Sequence, residues 1–378
     1  GSEASLWFQS ASLQLQGAKQ QLKKFYYNYI IVTVFPTDDG KRQEKEIKND
    51  THELNKLKEA SNFEHTSTLC WTFKRSVIAT MFTSGAQPTY NMLVVLLYMV
   101  VVAQAEFMTP IEHVVVLMLE NRAFDHMAGF FPNVDGLNGT EFNPYNTSNV
   151  TQGGVKVTKN SPYVSPIDPD HSTTATTSKI FGQDCLLKNS SSPGSCNTPK
   201  MDGFIEWEMK ARGHSVADAS KLMDMFTPER LPIMSTLASE FAIFDRFFAS
   251  HPGPTWPNRL FQIMGTSKGC TATSSRDPKT FLYFGKTIFD TVEEAGHSWR
   301  YYFKDAPLEA GLIAKLTFDP FKLRFWESFK KDAAEGKLPA FSWLNPRWFV
   351  DKKTNEGSSD QHPDHDVRLG EALIKEVY

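Results

Sequence analysis

The chain has 378 residues, enough for one large α/β domain or two smaller domains. Its formal net charge of −3 and isoelectric point near 6.4 give no electrostatic argument for binding nucleic acid. The aromatic content is high, with 29 Phe and 8 Trp. We expect most of these rings in a core and some at an acyl-chain site or a membrane surface.

The first hundred residues differ from the rest. Residues 37–60 are rich in Lys, Glu, Asp and Asn, which predicts solvated, poorly ordered chain. Residues 92–103 are almost entirely apolar, too few to span a bilayer, and lead into an Ala-Gln-Ala cleavage-like site at 103–105. We interpret 1–80 as a non-native or disordered extension, 81–105 as a signal-peptide-like segment and 106–378 as the folded domain. A buried strand or an uncleaved anchor remains an alternative for 92–103.

The next region carries features of a secreted protein. Cys185 and Cys196 bracket a Ser/Pro/Gly/Asn loop and favour a local disulfide in an oxidising compartment, whereas we expect Cys270 to be a free buried thiol. We therefore predict a secretory route, ending outside the cell or at an endomembrane or the plasma membrane. The same prediction rests on four clustered N-glycosylation acceptors, Asn138, Asn146, Asn149 and Asn189.

An apolar run at residues 114–119 ends at a carboxylate and an amide, Glu120 and Asn121. Such a run predicts a buried strand of an α/β sheet, and ligands bind beyond the carboxyl ends of these strands. Adjacent oxygen ligands suit a divalent cation, so Glu120 and Asn121 are candidate metal ligands. The alternative is a strand that ends at a solvated turn.

A second segment, residues 241–267, combines a strand-like half with a proline-rich loop and a helix. We predict a strand at 241–245 and a helix with Pro257 in its first turn, which puts Thr255 at or just before the N-cap. A hydroxyl there would meet free backbone N–H groups and the positive end of the helix dipole, which together suit phosphate oxygens. A simple N-cap role is the alternative, and both roles can hold together.

These segments, ENRAFDH at 120–126 and HPGPTWPNR at 251–259, occur with DPDH at 168–171, MDGF at 201–204 and DQHPDHDVRLGEALIKEVY at 360–378. In this order they resemble the phosphoesterase family that includes phospholipases C and acid phosphatases, nearest to the plant non-specific phospholipase C group. The resemblance covers residues 109–378. It implies an alkaline-phosphatase-like three-layer α/β/α sandwich with a mainly parallel sheet and makes 106–378 the phosphoesterase catalytic domain. We take 161–232 as a cap-like insertion of helices and loops.

The resemblance also implies a chemistry for the site. Thr255 would be the nucleophile that forms a covalent phospho-enzyme, because the family has Ser or Thr at this position. A divalent metal cation held by Glu120 and Asn121 would activate this hydroxyl; the metal's identity stays open.

Four further residues are candidates for handling the substrate. His171 and His362 would contact the phosphoryl oxygens or protonate the leaving group, since each lies in a family-like motif. Asn258 and Arg259 would bind substrate, with Arg259 clamping phosphate; an ion pair is the alternative for this arginine.

The chain departs from the family pattern twice. Gln361 stands where many relatives have Asp, which removes one carboxylate from the motif at 360–363. Relatives also continue past Tyr378 into a later Asp-Glu-His-Gly-Gly motif with further metal-binding carboxylates. We therefore expect this chain to bind metal weakly and to have little activity, and an extended version to recover activity.

The leading functional prediction is phospholipase C cleavage of glycerophospholipids at a membrane surface, giving diacylglycerol and a phosphorylated headgroup. An acid phosphatase for soluble monoesters is one alternative, and an apolar groove beside Thr255 would distinguish the two. An inactive, membrane-associated binding protein is the other. Oligomeric state is not predicted.

Overall fold

The structure is a computed structural model that describes the backbone of residues 27–36 and residues 111–182, 199–273 and 282–378. Apart from the last two residues of the first strand and the first two of the second, these residues belong to one compact unit. The described strands are β1 Tyr27–Pro36, β2 Ile111–Arg122, β3 Phe142–Pro144, β4 Gly154–Lys156, β5 Trp299–Phe303, β6 Leu323–Phe325 and β7 Phe341–Asn345. The described α-helices are α1 Phe124–Ala128, α2 Thr173–Phe181, α3 Phe204–Lys210, α4 Val216–Ser220, α5 Pro232–Glu240, α6 Thr255–Met264, α7 Ile288–Glu294, α8 Ala314–Phe318, α9 Trp326–Ala334 and α10 Val367–Val377.

The central sheet has the strand order β1-β2-β7-β5-β6. Strands β2, β7, β5 and β6 are parallel, with Leu117 opposite Leu344 and Phe303 opposite Asn345. The middle of β2 is a continuous buried apolar run, as expected for a parallel strand covered on both faces. The predicted mainly parallel α/β sheet is therefore confirmed.

Helices cover both faces of this sheet. On one face, Leu260 of α6, Phe289 of α7 and Leu316 of α8 pack in one core cluster with the alternate β2 side chains Val116 and Met118. On the other face, the ring of Phe329 in α9 makes an edge contact with that of Tyr302 in β5. Alternation along each strand sends neighbouring side chains into opposite layers, which gives the predicted α/β/α sandwich.

Between β2 and α6 the chain forms a helical region preceded by the short antiparallel hairpin β3–β4. The expected cap-like insertion, residues 161–232, carries α2, α3 and α4. Residues 183–198 lie outside the described residues, and with them Asn189 and the predicted Cys185–Cys196 disulfide. Cys270 is buried and free, as expected.

The strand predicted at 241–245 is wrong. The segment is an exposed loop in which Phe241 is 61% and Phe244 is 74% exposed. Asp245 Oδ2 accepts a hydrogen bond from the backbone N–H of Asp135, so the segment is held to a neighbouring loop. A short apolar run becomes a strand only where a sheet edge offers backbone partners, and no strand pairs with this segment among the described residues.

Two further observations bear on the ends of the domain. The β1 strand lies within residues 1–80, and residues 81–105 lie outside the described part, so the predicted domain boundaries stay a prediction. Within the described ranges, no helix combines the length and the apolar character that crossing a bilayer would require.

Candidate active site

The carboxyl end of β2 presents Glu120 to the first turn of α6. Thr255 Oγ1 donates a hydrogen bond to Glu120 Oε1 at 2.9 Å. Glu120 is almost completely buried, and its backbone N–H donates to the carbonyl of Asp360 at 2.9 Å. The strand and the helix thereby bring the candidate metal ligand and the candidate nucleophile into direct contact.

Asn121 reaches the two candidate histidines on its other side. Asn121 Nδ2 lies 3.5 Å from His362 Nε2, which accepts its hydrogen. The rings of His362 and His171 meet edge to face with centroids 5.6 Å apart. A carboxylate oxygen of Asp168 lies 3.7 Å from His171 Nδ1 and 3.9 Å from His362 Nδ1. The fold therefore gathers segments 240 residues apart at one edge of the sheet; the roles of these residues stay predictions.

Arg259 is fully buried next to Glu120 and does not reach the protein surface. Its Nε donates to Glu120 Oε2 at 2.7 Å, and its Nη1 donates to Glu309 and, at 3.1 Å, to Asn345 Oδ1. Burial opposes the charge on Arg259, but the carboxylates of Glu120 and Glu309 raise its pKa. The predicted phosphate clamp does not match this geometry, because the guanidinium is fully buried between carboxylates. The ion-pair alternative fits, although the pair lies inside the protein.

Asn258 fixes the loop before Thr255. Its Nδ2 donates to the carbonyls of His251, Gly253 and Pro254 at 3.0–3.1 Å, and its Oδ1 accepts from the His251 N–H at 2.9 Å. A Cβ at Gly253 would lie 2.6 Å from the His251 ring, so only glycine fits there. Asn258 was predicted to bind substrate, but all these contacts are internal, so the structure gives it a positioning role.

The start of α6 also differs from the prediction. Pro254 is the N-cap and Thr255 is the first helical residue, one position later than expected. The N–H of Trp256 donates to Thr273 Oγ1 at 3.0 Å, and Pro257 has no N–H. Two first-turn positions therefore offer no donor to a phosphate, so this helix start has fewer backbone N–H groups for an anion than the sequence predicted.

Arg122 ties the loop that carries His362 to the end of β2. Its Nε donates to the carbonyl of Gln361 at 2.8 Å, and its Nη2 donates to the carbonyls of His362, Pro363 and His365 at 2.8–3.2 Å. One planar guanidinium thus binds four backbone carbonyls of this loop. The position of His362 relative to Asn121 depends on this arrangement.

Gln361 contributes its backbone, not its side chain. The side chain is fully buried against Gly370 of α10 and finds no hydrogen-bond partner among the described residues. Its φ of 67° lies in the left-handed region that non-glycine residues rarely adopt. A carboxylate at position 361 would therefore occupy this buried place against α10.

The histidine cluster carries paired carboxylates. The hydrogen bond with Asp360 raises the pKa of His365 despite partial burial. Burial opposes ionisation of Asp364, but the hydrogen bond from His362 gives it a lowered pKa overall. By contrast, His126 of the first motif stacks on Phe226, and its Nε2 lies 2.7 Å from Ser161 Oγ. Desolvation inside the fold, and then Arg122, hold the pKa of His126 well below the usual value.

Several residues of the site were not identified from the sequence. Glu309, Asn345 and Tyr301 form the buried polar group that surrounds Arg259. Asn345 had a usable signal, because it is a polar residue that ends an apolar strand, as Glu120 does. Glu309 lies in the 3-10 turn Leu308–Gly311, not at the end of a strand, and gives no such signal. In the described residues, no three His, Cys, Asp or Glu side chains converge to form a metal site.

A site at the carboxyl edge of a parallel sheet, with a hydroxyl at a helix start beside a carboxylate, places the chain among α/β enzymes. The model of the Phosphoesterase family matches residues 111–378. The chain therefore belongs to the Phosphoesterase family.

Named relatives agree with this assignment. Non-specific phospholipase C6 of Arabidopsis thaliana is 38% identical over 281 residues, which are 72% of this chain and 50% of that protein. Non-specific phospholipase C1 of the same plant is 36% identical, over 71% of this chain and 49% of that protein. Phospholipase C B of Mycobacterium tuberculosis is 25% identical, over 71% of this chain and 54% of that protein. The chain spans about half the length of the curated relatives it matches.

Proposed function

We propose that this chain carries the nucleophile-bearing half of a phospholipase C that hydrolyses glycerophospholipids at a membrane surface. The products would be diacylglycerol and a phosphorylated headgroup. The observation that carries the proposal is the 2.9 Å hydrogen bond from Thr255 Oγ1 to Glu120 Oε1. It supplies an oriented hydroxyl at a helix N-terminus, which is what a phosphoryl-transfer nucleophile requires.

The donors near Thr255 fit a divalent cation in kind. Glu120, Asn121 and Thr255 would hold it through carboxylate, amide and hydroxyl oxygens, which hard cations prefer, although six ligands are usual. When bound, such an ion lowers the pKa of a hydroxyl and offsets charge on phosphoryl oxygens. The contact between Glu120 and Thr255 places two of these donors together.

We assign the orientation of the nucleophile and the protonation of the leaving group to separate side chains. Glu120 accepts the hydrogen bond of Thr255 Oγ1, which directs the lone pairs of Oγ1 towards an incoming phosphorus, and takes the hydroxyl proton as Oγ1 attacks. As the P–Oγ1 bond forms and the P–O bond to glycerol breaks, the leaving oxygen needs a proton. We assign this proton to the His171–His362 pair, which lies next to Asn121. Water would then release the headgroup phosphate from Thr255.

The decisive experiment compares Thr255→Ala with Thr255→Ser in the extended version that is expected to be active. On phosphatidylcholine vesicles, Thr255→Ala should lower turnover by about 10³-fold or more, whereas Thr255→Ser keeps a hydroxyl and should retain measurable turnover. Mass spectrometry of acid-quenched wild-type protein should find phosphocholine on the peptide that contains Thr255. A folded Thr255→Ala protein with appreciable turnover would exclude the nucleophile. Faster turnover of p-nitrophenyl phosphate than of phosphatidylcholine would favour the phosphatase alternative.

We also propose that the protein follows the secretory route and is glycosylated. Two of the predicted acceptor residues, Asn138 and Asn149, are exposed, which is a requirement for modification. Treatment of the natively expressed protein with an N-glycosidase should lower its mass, and the mature N-terminus should lie near Glu106. A protein of unchanged mass that begins within residues 1–80 would contradict this route.

A further inference from the structure

Two fully buried charges meet beside the loop that carries His171. Lys179 of α2 donates from Nζ to Glu208 Oε1 of α3 at 2.7 Å, and neither side chain has exposed surface. Removing two charges from water costs hydration free energy that their attraction often offsets only in part. An apolar pair of similar size is therefore often equally stable or more so. The pair thus needs an explanation other than fold stability.

Both charges hold the same residue, Asp170. Lys179 Nζ donates to the Asp170 carbonyl at 2.5 Å, and Glu208 Oε1 accepts from the Asp170 N–H at 2.9 Å. Trp207 Nε1 adds a hydrogen bond to Asp170 Oδ2 at 3.1 Å. Two helices therefore fix one residue through its carbonyl, its N–H and its side chain. The carbonyl belongs to the peptide bond that leads into His171.

The hydrogen bonds that fix Asp170 also orient the next residue, His171. His171 Nδ1 donates to the carbonyl of Pro169 at 2.8 Å, so proton exchange with a substrate would use Nε2. Its ring contacts that of His362, and His362 in turn receives the hydrogen bond of Asn121. A displacement of about 1 Å from a productive position can cost about 10²-fold in rate.

We infer that Lys179 and Glu208 are positioning residues that hold His171 against His362 for phosphoryl transfer. The inference rests on the proposed function, since that function gives His171 its task. Lys179 and Glu208 would then affect the reaction through Asp170 and His171, since the hydrogen bonds described above do not join them to Glu120 or Thr255.

The test uses paired substitutions, so that no buried charge is left alone. The variants are made in the extended version that is expected to be active. There, Lys179→Met/Glu208→Leu should lower kcat about 10- to 100-fold, while KM should change less than about twofold. In Lys179→Met/Glu208→Gln, an amide oxygen can still accept from the Asp170 N–H, and part of the lost kcat should return. Lys210→Gln is the matched control, because Lys210 lies on the same helix and is 52% exposed, and an amide can still donate to its buried partner Glu206. Its kcat should equal that of the wild type.

A second readout does not depend on turnover. NMR of ¹³C-labelled histidine rings, assigned with His171→Ala, should show a shifted His171 signal in Lys179→Met/Glu208→Leu at an unchanged unfolding midpoint. Unchanged kcat and unchanged His171 signals would overturn the inference. If the wild type has no turnover but the His171 signal of Lys179→Met/Glu208→Leu is shifted, the proposed function is wrong. In that case Lys179 and Glu208 still position His171.

Trp207→Phe covers the case in which the charge variants do not fold. It removes only the hydrogen bond to Asp170 and keeps an aromatic ring. We expect a fall of a few-fold in kcat and a shifted His171 signal. A wild-type kcat with an unmoved signal would again overturn the inference.

Discussion

Arg122 offers a direct test of how the loop around His362 is held. Arg122→Lys keeps a positive charge but replaces a planar fork with a single ammonium on a flexible chain, which cannot reach all four carbonyls. If two of the four hydrogen bonds are lost, at about 1 kcal/mol each, the free energy of unfolding should fall by ~2 kcal/mol. Arg122→Met, which leaves all four acceptors without this donor, should lose ~4 kcal/mol.

The same substitutions should act on catalysis, because the loop places His362 beside Asn121. In the extended version that is expected to be active, we expect kcat of Arg122→Lys to fall ~10-fold or more with a smaller change in KM. Turnover is measured on phosphatidylcholine vesicles after urea unfolding has established the folded fraction. Arg368→Met is the control, since Arg368 is an exposed arginine of α10 paired with Asp366. Wild-type stability and kcat in Arg122→Lys would show that the four hydrogen bonds of Arg122 do not hold the loop around His362 in place.

Three other predictions follow from separate contacts. Asn258→Ala should lower the free energy of unfolding by ~2–3 kcal/mol, because the loop before Thr255 loses the side chain that donates to its carbonyls. Its kcat should also fall. A wild-type kcat in the folded variant would show that the loop keeps its conformation without Asn258. Burial raises the pKa of Glu371 to about 7, even though it accepts from the N–H groups of Ile233 and Met234. This carboxyl is neutral in both states below its unfolded pKa of about 4.5, so stability should fall by ~3 kcal/mol as pH rises from about 4.5 through 7. Urea unfolding should show a smaller pH dependence in Glu371→Gln, and an identical dependence would contradict the assignment. Finally, calorimetric titration of this chain with Mn²⁺ should give a Kd of ~10⁻³ M or weaker, lost in Glu120→Gln, because so few protein donors surround the ion; micromolar binding would mean that other ligands complete the site.

The sheet and the carboxyl end of β2 could be predicted because their signals are local. An uninterrupted apolar run that stops at Glu120 and Asn121 specifies both a buried strand and the polar edge beyond it. Thr255 and Arg259 were both predicted to act on phosphate, but the structure shows that they contact Glu120 from one face of α6, with Arg259 fully buried.

The remainder depended on tertiary contacts that no window of sequence contains. The short apolar run at 241–244 resembles a buried strand, but a strand also needs a paired neighbour. Glu309 becomes part of the site only because Arg259 and Tyr301 are brought next to it. Lys179 and Glu208 look like surface charges of two short helices until the fold buries both.

The distances along the chain between contacting residues have a consequence for biosynthesis. Thr255 lies 135 residues after Glu120, and His362 lies 241 residues after Asn121. At a translation rate of ~5–20 residues per second, roughly 10–50 s pass between synthesis of the β2 end and arrival of its histidine partner. During this interval the apolar β2 strand has left the ribosome without its neighbour β7. Such a nascent chain is exposed to aggregation, so its yield in cells should depend on chaperones that shield β2 until β7 is made.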